Sequence, residues 1–279
     1  MPGTFHNSDR ISAKFQELQN RGEGALIAYL TGGDPDPKSF FGNCAALVKG
    51  GADIIEVGIP FSDPIADGPI IQASSMRALS RGATPTGILG TIAELSAQFS
   101  VPFVLLSYYN PILSAGLDRF LTKARDSGID GIVVADLPFE ESEEFGNLAQ
   151  KHDIDHILLA APNTSKIRLQ KVLEKSKGFL YLVSLYGVTG PRDSLSPHSL
   201  HAVGTVKSLA KGRIPISAGF GISQPEHVSA VIRSGADGAI VGSALVRIVG
   251  DHLEDQSRTE TRLRETVKSL KDGTRQLSS

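Results

Sequence analysis

Apolar positions along the chain alternate between two spacings. Ile11, Phe15 and Leu18, then Phe40, Cys44, Leu47 and Val48, and near the end Leu263, Val267 and Leu270 each include an i, i+4, i+7 series, which places each set on one face of a helix. Between such stretches lie short runs that are apolar on both faces: Ala25–Leu30, Ile54–Val57, Val101–Leu106, Gly131–Ala135, Ile157–Ala161, Phe179–Val183, Ile214–Ser217 and Gly238–Val241. Parallel strands covered by helices need this composition. Eight such runs separated by helical segments predict an α/β chain folded as a (β/α)8 TIM barrel. A doubly wound open sheet is the alternative, because periodicity does not show closure.

An internal echo supports repeated αβ units. Gly51-Ala52-Asp53, Gly128-Ile129-Asp130 and Gly235-Ala236-Asp237 each precede an apolar run, and the glycine is expected in the left-handed conformation that ends a helix. The helix at the start and the charged helix at 257–271 read as additions to the barrel ends. No Pro/Gly/Ser-rich linker or shift of composition divides the chain, so residues 1–279 are expected to form one barrel domain.

Composition narrows the function classes. Lys and Arg number 28 against 30 Asp and Glu, a net charge of −2, which leaves no footprint for nucleic acid or an anionic membrane. The lone cysteine, Cys44, excludes an intrachain disulfide framework and fits a reducing compartment. No apolar run approaches the roughly 18 residues of a membrane span, and Met1 to Arg10 lack the apolar core of a signal peptide. A cytoplasmic location is expected.

Catalytic groups of such barrels lie where strands end and βα loops begin. Glu56 is the one charged residue inside the second run, and strict alternation turns Ile54 and Glu56 into the barrel while Ile55 and Val57 face the helices. A carboxylate there is costly unless paired, hydrogen-bonded or protonated. The loop that follows, Ile59 to Pro69, carries three prolines and two further carboxylates, Asp63 and Asp67. Three readings stand side by side. Glu56 is a structural carboxylate satisfied by backbone donors while Asp67 shapes a turn; or Glu56, Asp63 and Asp67 hold Mg²⁺; or two carboxylates divide acid and base roles.

The second half supplies glycines. Gly187 to Gly190 follow the sixth run, Gly219-Phe220-Gly221 the seventh, and Gly242-Ser243 the eighth, where they open a helix. Loops after strands seven and eight with a helix N-terminus form the usual phosphate cradle of this fold. Other features read as structural. His152 and His156 lie across a helix end and a strand, His198 and His201 stand at an exposed helix start, and Cys44 is on an apolar face. No lysine ends a strand, against Schiff-base chemistry, and no Gly-x-Gly-x-x-Gly opens a helix after the first strand.

The segment Ile55-Glu56-Val57-Gly58-Ile59-Pro60-Phe61-Ser62-Asp63-Pro64-Ile65-Ala66-Asp67-Gly68-Pro69 closely resembles the signature of the tryptophan synthase alpha subunit family. Ala28 to Pro35, Tyr108 to Pro111, Val134 to Pro138, Gly187 to Gly190 and Gly219 to Ser223 are similar to further strand ends of that family. The resemblance implies a lyase that cleaves indole-3-glycerol phosphate to indole and glyceraldehyde 3-phosphate, late in L-tryptophan biosynthesis. It implies no cofactor on this chain, and a pyridoxal-phosphate-dependent beta subunit as partner in an α2β2 heterotetramer. Carried over by residue, Glu56 is the general acid/base and Asp67 the carboxylate facing the indole N–H. Gly190, Gly221, Gly242 and Ser243 bind phosphate, and Tyr29, Ile71, Leu106, Val133, Phe220 and Ile240 line the indole. Tyr108, Ala135 and Tyr181 lie near the substrate, Thr189 closes over the aspartate, and Pro60 and Asp63 meet the partner. Tyr29 stands where some relatives have phenylalanine, and Leu185-Tyr186 where some have a basic or small polar residue. Breaking the bond from indole C3 needs no metal, which disfavours the Mg²⁺ reading.

Overall fold

The computed structural model describes residues 9–183 and 195–275. Helix α1 (Asp9–Asn20) precedes strand β1 (Ala25–Thr31), helix α2 (Pro37–Gly50) and strand β2 (Ile54–Gly58). Two helices, α3 (Pro69–Ser80) and α4 (Pro85–Gln98), lead to β3 (Phe103–Ser107), and two more, α5 (Tyr109–Ala115) and α6 (Leu117–Asp126), to β4 (Ile129–Val134). After α7 (Glu143–Lys151) come the short strands β5 (Asp155–His156) and β6 (Leu159–Ala160), then α8 (Lys166–Lys175) and β7 (Leu180–Val183). The chain ends with α9 (Pro197–Ala210), β8 (Ile216–Gly219), α10 (Pro225–Arg233), β9 (Gly238–Val241), α11 (Ser243–Asp251) and α12 (Gln256–Asp272).

Helices start where the sequence says they should. In α2, α3, α4, α9 and α10 a proline occupies the first turn, where its missing N–H costs no hydrogen bond. Asp36, Thr84 and Ser196 cap three of these helices by accepting backbone N–H groups.

All strands run parallel, in the order β5-β4-β3-β2-β1-β9-β8-β7-β6. The two ends of that order, β5 and β6, are successive halves of one run. Ile157 N–H donates to Ile132 of β4, and Leu158 accepts from Tyr181 of β7, so the run joins both neighbours and the barrel closes. This settles the choice between a closed barrel and an open sheet.

Side chains sort by face. Ala25, Ile27, Ile54, Val104, Val133, Ile157, Phe179 and Ile240 fill the barrel interior, while Ile55, Val57, Leu105 and Ile132 belong to the layer under the helices. Helix α1 plugs the bottom: Ile11, Phe15 and Leu18 complete the interior cluster, with Phe15 and Phe179 ring centroids 5.8 Å apart. The C-terminal helix is present, but α12 packs against α2, α10 and α11 and completes the helical ring. The short extra helix at the barrel mouth is α11.

The Gly-x-Asp echo has a common structural meaning. Gly51, Gly128 and Gly235 take φ of 103°, 84° and 102°, as expected for left-handed turns. Each aspartate then accepts the amide that begins the neighbouring strand segment: Asp53 from Leu26 at 2.7 Å, Asp130 from Phe103 at 2.9 Å, and Asp237 from Ile216 at 2.8 Å. Each also pairs with a cation, Lys271 at 2.8 Å, Arg10 at 3.0 Å and Lys207 at 2.5 Å. Arg10 reaches Asp130 from α1 and so fastens the plug. Because Phe15 is buried against the interior layer, Phe15→Ala is expected to cost about 3–5 kcal/mol; urea unfolding of the purified variant measures this directly.

Candidate active site

Glu56 sits at the middle of β2, paired in register with Tyr29 of β1 on one side and Val104 of β3 on the other. Its strand neighbours follow the expected alternation, so its side chain enters the interior. It is 1% exposed, and neither carboxylate oxygen has a hydrogen-bond partner. The reading of Glu56 as a structural carboxylate satisfied by backbone donors is therefore corrected. Burial, and secondarily the nearby Asp67, push its carboxyl up to about 8.

Asp67 lies at the end of the β2–α3 loop in a different environment. Helix α3 is capped by Gly68, and no side-chain bond caps it. Its carboxylate is hydrogen-bonded by Tyr108, which opposes the upward push of burial and leaves it at about 6. Tyr108 also accepts the Ala66 N–H at 2.9 Å and packs its ring 5.3 Å from Phe61, clamping the loop. With the Ala66 amide bonded to its oxygen, the single Tyr108 hydrogen is the one given to Asp67. The loop is also self-braced: Asp67 N–H donates to Pro64, and Gln72 donates to the Asp67 carbonyl at 2.9 Å.

Asp63 takes no part in this pair. It is exposed and accepts from Ser62, and among the described residues no three His, Cys, Asp or Glu side chains form a group able to hold a metal. The proposed Glu56–Asp63–Asp67 triad for Mg²⁺ does not assemble. The loop is also less exposed than its apolar sequence implies: Ile59 and Pro60 are buried, Phe61 and Pro64 half-buried, and only Ile65, 84% exposed, is a free apolar surface.

The other expected site residues converge on the same barrel end. Leu106, Val133, Tyr181 and Ile240 project into the interior above the packed layer, and Tyr29, Ile71, Tyr108 and Phe220 are buried at its rim. Ala135 follows β4 directly, its N–H bonded to Ser107. Tyr29 packs against Gly242, and Tyr181 against Gly219, where a Cβ would approach to 3.4 and 3.1 Å. Gly221 holds φ of 75°, and Gly242 caps α11 without a side-chain bond, its carbonyl accepting from Leu245 at 2.9 Å and Val246 at 3.0 Å, so the amides of Ser243 and Ala244 precede the first intrahelical bond. This end is thus prepared for an anion. Thr189, Gly190 and Leu185-Tyr186 lie outside the described residues.

A buried and a half-buried carboxyl of different acidity, an aromatic and aliphatic lining, and the glycines Gly219, Gly221 and Gly242 share one barrel mouth. Residues 15–275 match the family described as tryptophan synthase alpha chain. The chain belongs to that family. It is 46% identical to the tryptophan synthase alpha chain of Methanopyrus kandleri over 94% of this chain and 93% of the relative, and 44% identical to that of Arabidopsis thaliana over 86% and 87%. Among solved structures, Mycobacterium tuberculosis tryptophan synthase superposes with a TM-score of 0.87 at 34% identity, covering 96% of this chain and 99% of that one. A tryptophan synthase a2b2 complex from Pyrococcus furiosus gives 0.82 at 43% identity, covering 89% and 98%.

Sequence reasoning passes over Thr31 and Ser74, which bond one another at 2.6 Å beneath Tyr29. The signal was a polar residue at each of two buried positions, the end of an apolar strand and one face of α3. Arg77, which forks onto Asp34 at 2.9 Å through both nitrogens, was also missed and makes a second tie from α3 to the β1 end. Glu56 carries a stability cost that its site makes unavoidable. Replacement by an apolar side chain of similar volume, Glu56→Met, is expected to raise stability by about 1–3 kcal/mol. The sign follows from its raised pKa: ionisation in the folded state is opposed, so the gain is largest above pH 8 and shrinks in acid. Unfolding midpoints of the two proteins across pH check it.

Proposed function

We propose that this chain cleaves indole-3-glycerol phosphate to indole and glyceraldehyde 3-phosphate, with Glu56 as general acid/base and Asp67 as the stabilising carboxylate. The observation that carries the reading is the unpartnered burial of Glu56 beside a carboxylate that Tyr108 keeps ionised. At neutral pH Glu56 is a neutral acid and Asp67 an anion, the division that this cleavage needs.

The chemistry then follows. Glu56 gives its proton to indole C3, which places positive charge on the ring nitrogen. Asp67 stabilises that charge as it develops. The C3–C1′ bond breaks, its electron pair returns to the ring, and indole leaves. The C1′ hydroxyl becomes the aldehyde of glyceraldehyde 3-phosphate, and its proton returns to Glu56. The residue ends as it began, so no step draws on a cofactor held by this chain. Gly221, Gly242 and Ser243, with Gly190, hold the phosphate, while Tyr29, Ile71, Leu106, Val133, Phe220 and Ile240 enclose the indole. Tyr108, Ala135 and Tyr181 complete the surroundings, and Thr189 closes over Asp67. Enclosure matters because a carboxyl open to water would lose its raised pKa.

Glu56→Gln is expected to lower kcat by at least 10²–10⁴-fold with the fold intact; wild-type indole release by that variant rules the assignment out. The same pair sets the pH dependence. Activity should rise as Asp67 ionises near pH 6 and fall as Glu56 loses its proton near pH 8.

The indole is passed to a beta subunit that carries pyridoxal phosphate, in an α2β2 assembly placed in the cytoplasm. Asp63 and Ile65 are the parts of the β2–α3 loop available to that partner; Pro60 is buried and shapes the loop from within. Since Asp67 closes the same loop, docking should raise kcat more than it lowers KM. Ile65→Asp should weaken the complex and abolish the activation, leaving the isolated subunit's basal rate unchanged. Titrating each protein with beta subunit while following indole formation separates the two effects.

A further inference from the structure

The β3–β4 pair runs on past its last strand residues and ends at the tyrosine that holds Asp67. Just beyond β4, the Ala135 N–H donates to the Ser107 carbonyl at 2.8 Å. The next residue, Asp136, turns its carboxylate onto the start of α5, where Oδ1 accepts the Tyr109 N–H at 2.7 Å. Ser107 donates its hydroxyl to the Tyr108 carbonyl at 2.9 Å. The peptide that joins Tyr108 to Tyr109 is therefore held at both polar atoms, its carbonyl by Ser107 and its N–H by Asp136. Tyr108 is the N-cap of α5 and makes no side-chain cap, so the cap comes from the end of the neighbouring strand.

The Tyr108 side chain has two fixed partners. It is 2% exposed, its oxygen accepts the Ala66 N–H at 2.9 Å, and its hydrogen goes to Asp67. The ring between backbone and hydroxyl is rigid, so the held peptide decides where that hydroxyl lies. Charged and titratable neighbours are few. Asp67 faces Glu56 of β2, Tyr108, Tyr29 of β1 and Tyr181 of β7. Asp136 is exposed and faces Tyr108; Arg168 of α8, which lines a surface cavity with it, is engaged by Glu140 at 2.9 Å.

We infer that Asp136 is a positioning residue of the active site, which by bonding the Tyr109 amide sets the Tyr108 hydroxyl on Asp67. A carboxylate on the exposed rim thus acts, through Tyr108, on one inside the site. The inference rests on the role proposed for Asp67 and adds a residue outside the substrate lining. Charge alone predicts the opposite sign: removing a nearby anion makes a carboxyl easier to ionise, whereas a displaced Tyr108 hydroxyl makes it harder.

That difference of sign makes the test. Carbon-13 NMR of the unliganded chain labelled at aspartate carboxyls reads the Asp67 titration, its signal being the one that Asp67→Asn removes. Tyr108→Phe should raise the Asp67 midpoint by about one pH unit, roughly tenfold in the neutral fraction on the alkaline side. Asp136→Ala should raise it by about half a unit, roughly threefold, and the acid limb of indole release should move with it. Asp136→Asn keeps an acceptor oxygen without the charge and should return the midpoint to wild type or below. On a Tyr108→Phe background, Asp136→Ala should add no rise. An Asp136→Ala midpoint at or below wild type overturns the inference, because charge alone is then acting. So does a fall in kcat at every pH with an unmoved midpoint, which marks a purely structural tie, and so does a rise that persists without the Tyr108 hydroxyl. The titration uses no substrate. Wild-type indole release in Asp67→Asn would therefore refute the catalytic role of Asp67 while leaving the positioning result standing.

Discussion

A carboxyl group enclosed in a barrel interior without one hydrogen-bond partner is the constraint on which the rest of this structure depends. Folding must bury Glu56 against its own preference for water, and the surrounding elements make that arrangement hold. Its strand is the second of a closed parallel sheet, so neither edge can peel away to hydrate it. Beneath it the interior is filled by aliphatic side chains and sealed by α1. Above it, Tyr29, Tyr181 and the β2–α3 loop close the approach. Asp67 stands close enough to raise the Glu56 pKa further, while Tyr108 holds the Asp67 pKa below where burial alone would put it. Two carboxylates thereby acquire different protonation states from one shared site.

Stability and chemistry occupy opposite ends of the barrel. At the bottom, three aspartates after left-handed glycines each bond the start of a neighbouring strand and a cation, so buried charge there is fully matched. At the top, the Glu56 carboxyl is left without a hydrogen-bond partner, and the backbone of the α11 start carries no side-chain cap. The helix that carries this top end, α3, is fastened to β1 by Arg77–Asp34 and by Ser74–Thr31. The loop bearing Asp67 is thus anchored close behind the reacting groups.

Much of this was legible in the residues. The eight apolar runs match every strand except β5, which lies just ahead of the run at 157–161. Alternation through Ile54 to Val57 put Glu56 inside, because a strand's two-residue period leaves no other choice. What escaped was tertiary in origin. That the run at 157–161 begins earlier and is recorded as two strands depends on pairing with different neighbours along its length. The aspartates of the Gly-x-Asp echo gave no hint of their partners, since Leu26, Phe103 and Ile216 lie 27 or 21 residues away. The resemblance put Pro60 at the partner face, but it is buried within its own chain. The hydroxyl cluster of Tyr29, Thr31 and Ser74 lay furthest from view, as it requires side chains of β1 and α3 to be placed together.

The central claim is that Glu56 is a neutral acid at physiological pH. Infrared difference spectroscopy of the carboxyl stretch, wild type minus Glu56→Gln at pH 7, tests it without substrate or partner. A protonated-carboxyl band that is present in the wild type, lost in the variant and bleached as pH passes through about 8 is the result expected. A difference spectrum at pH 7 containing only carboxylate bands contradicts the account, for Glu56 would then have no proton to give.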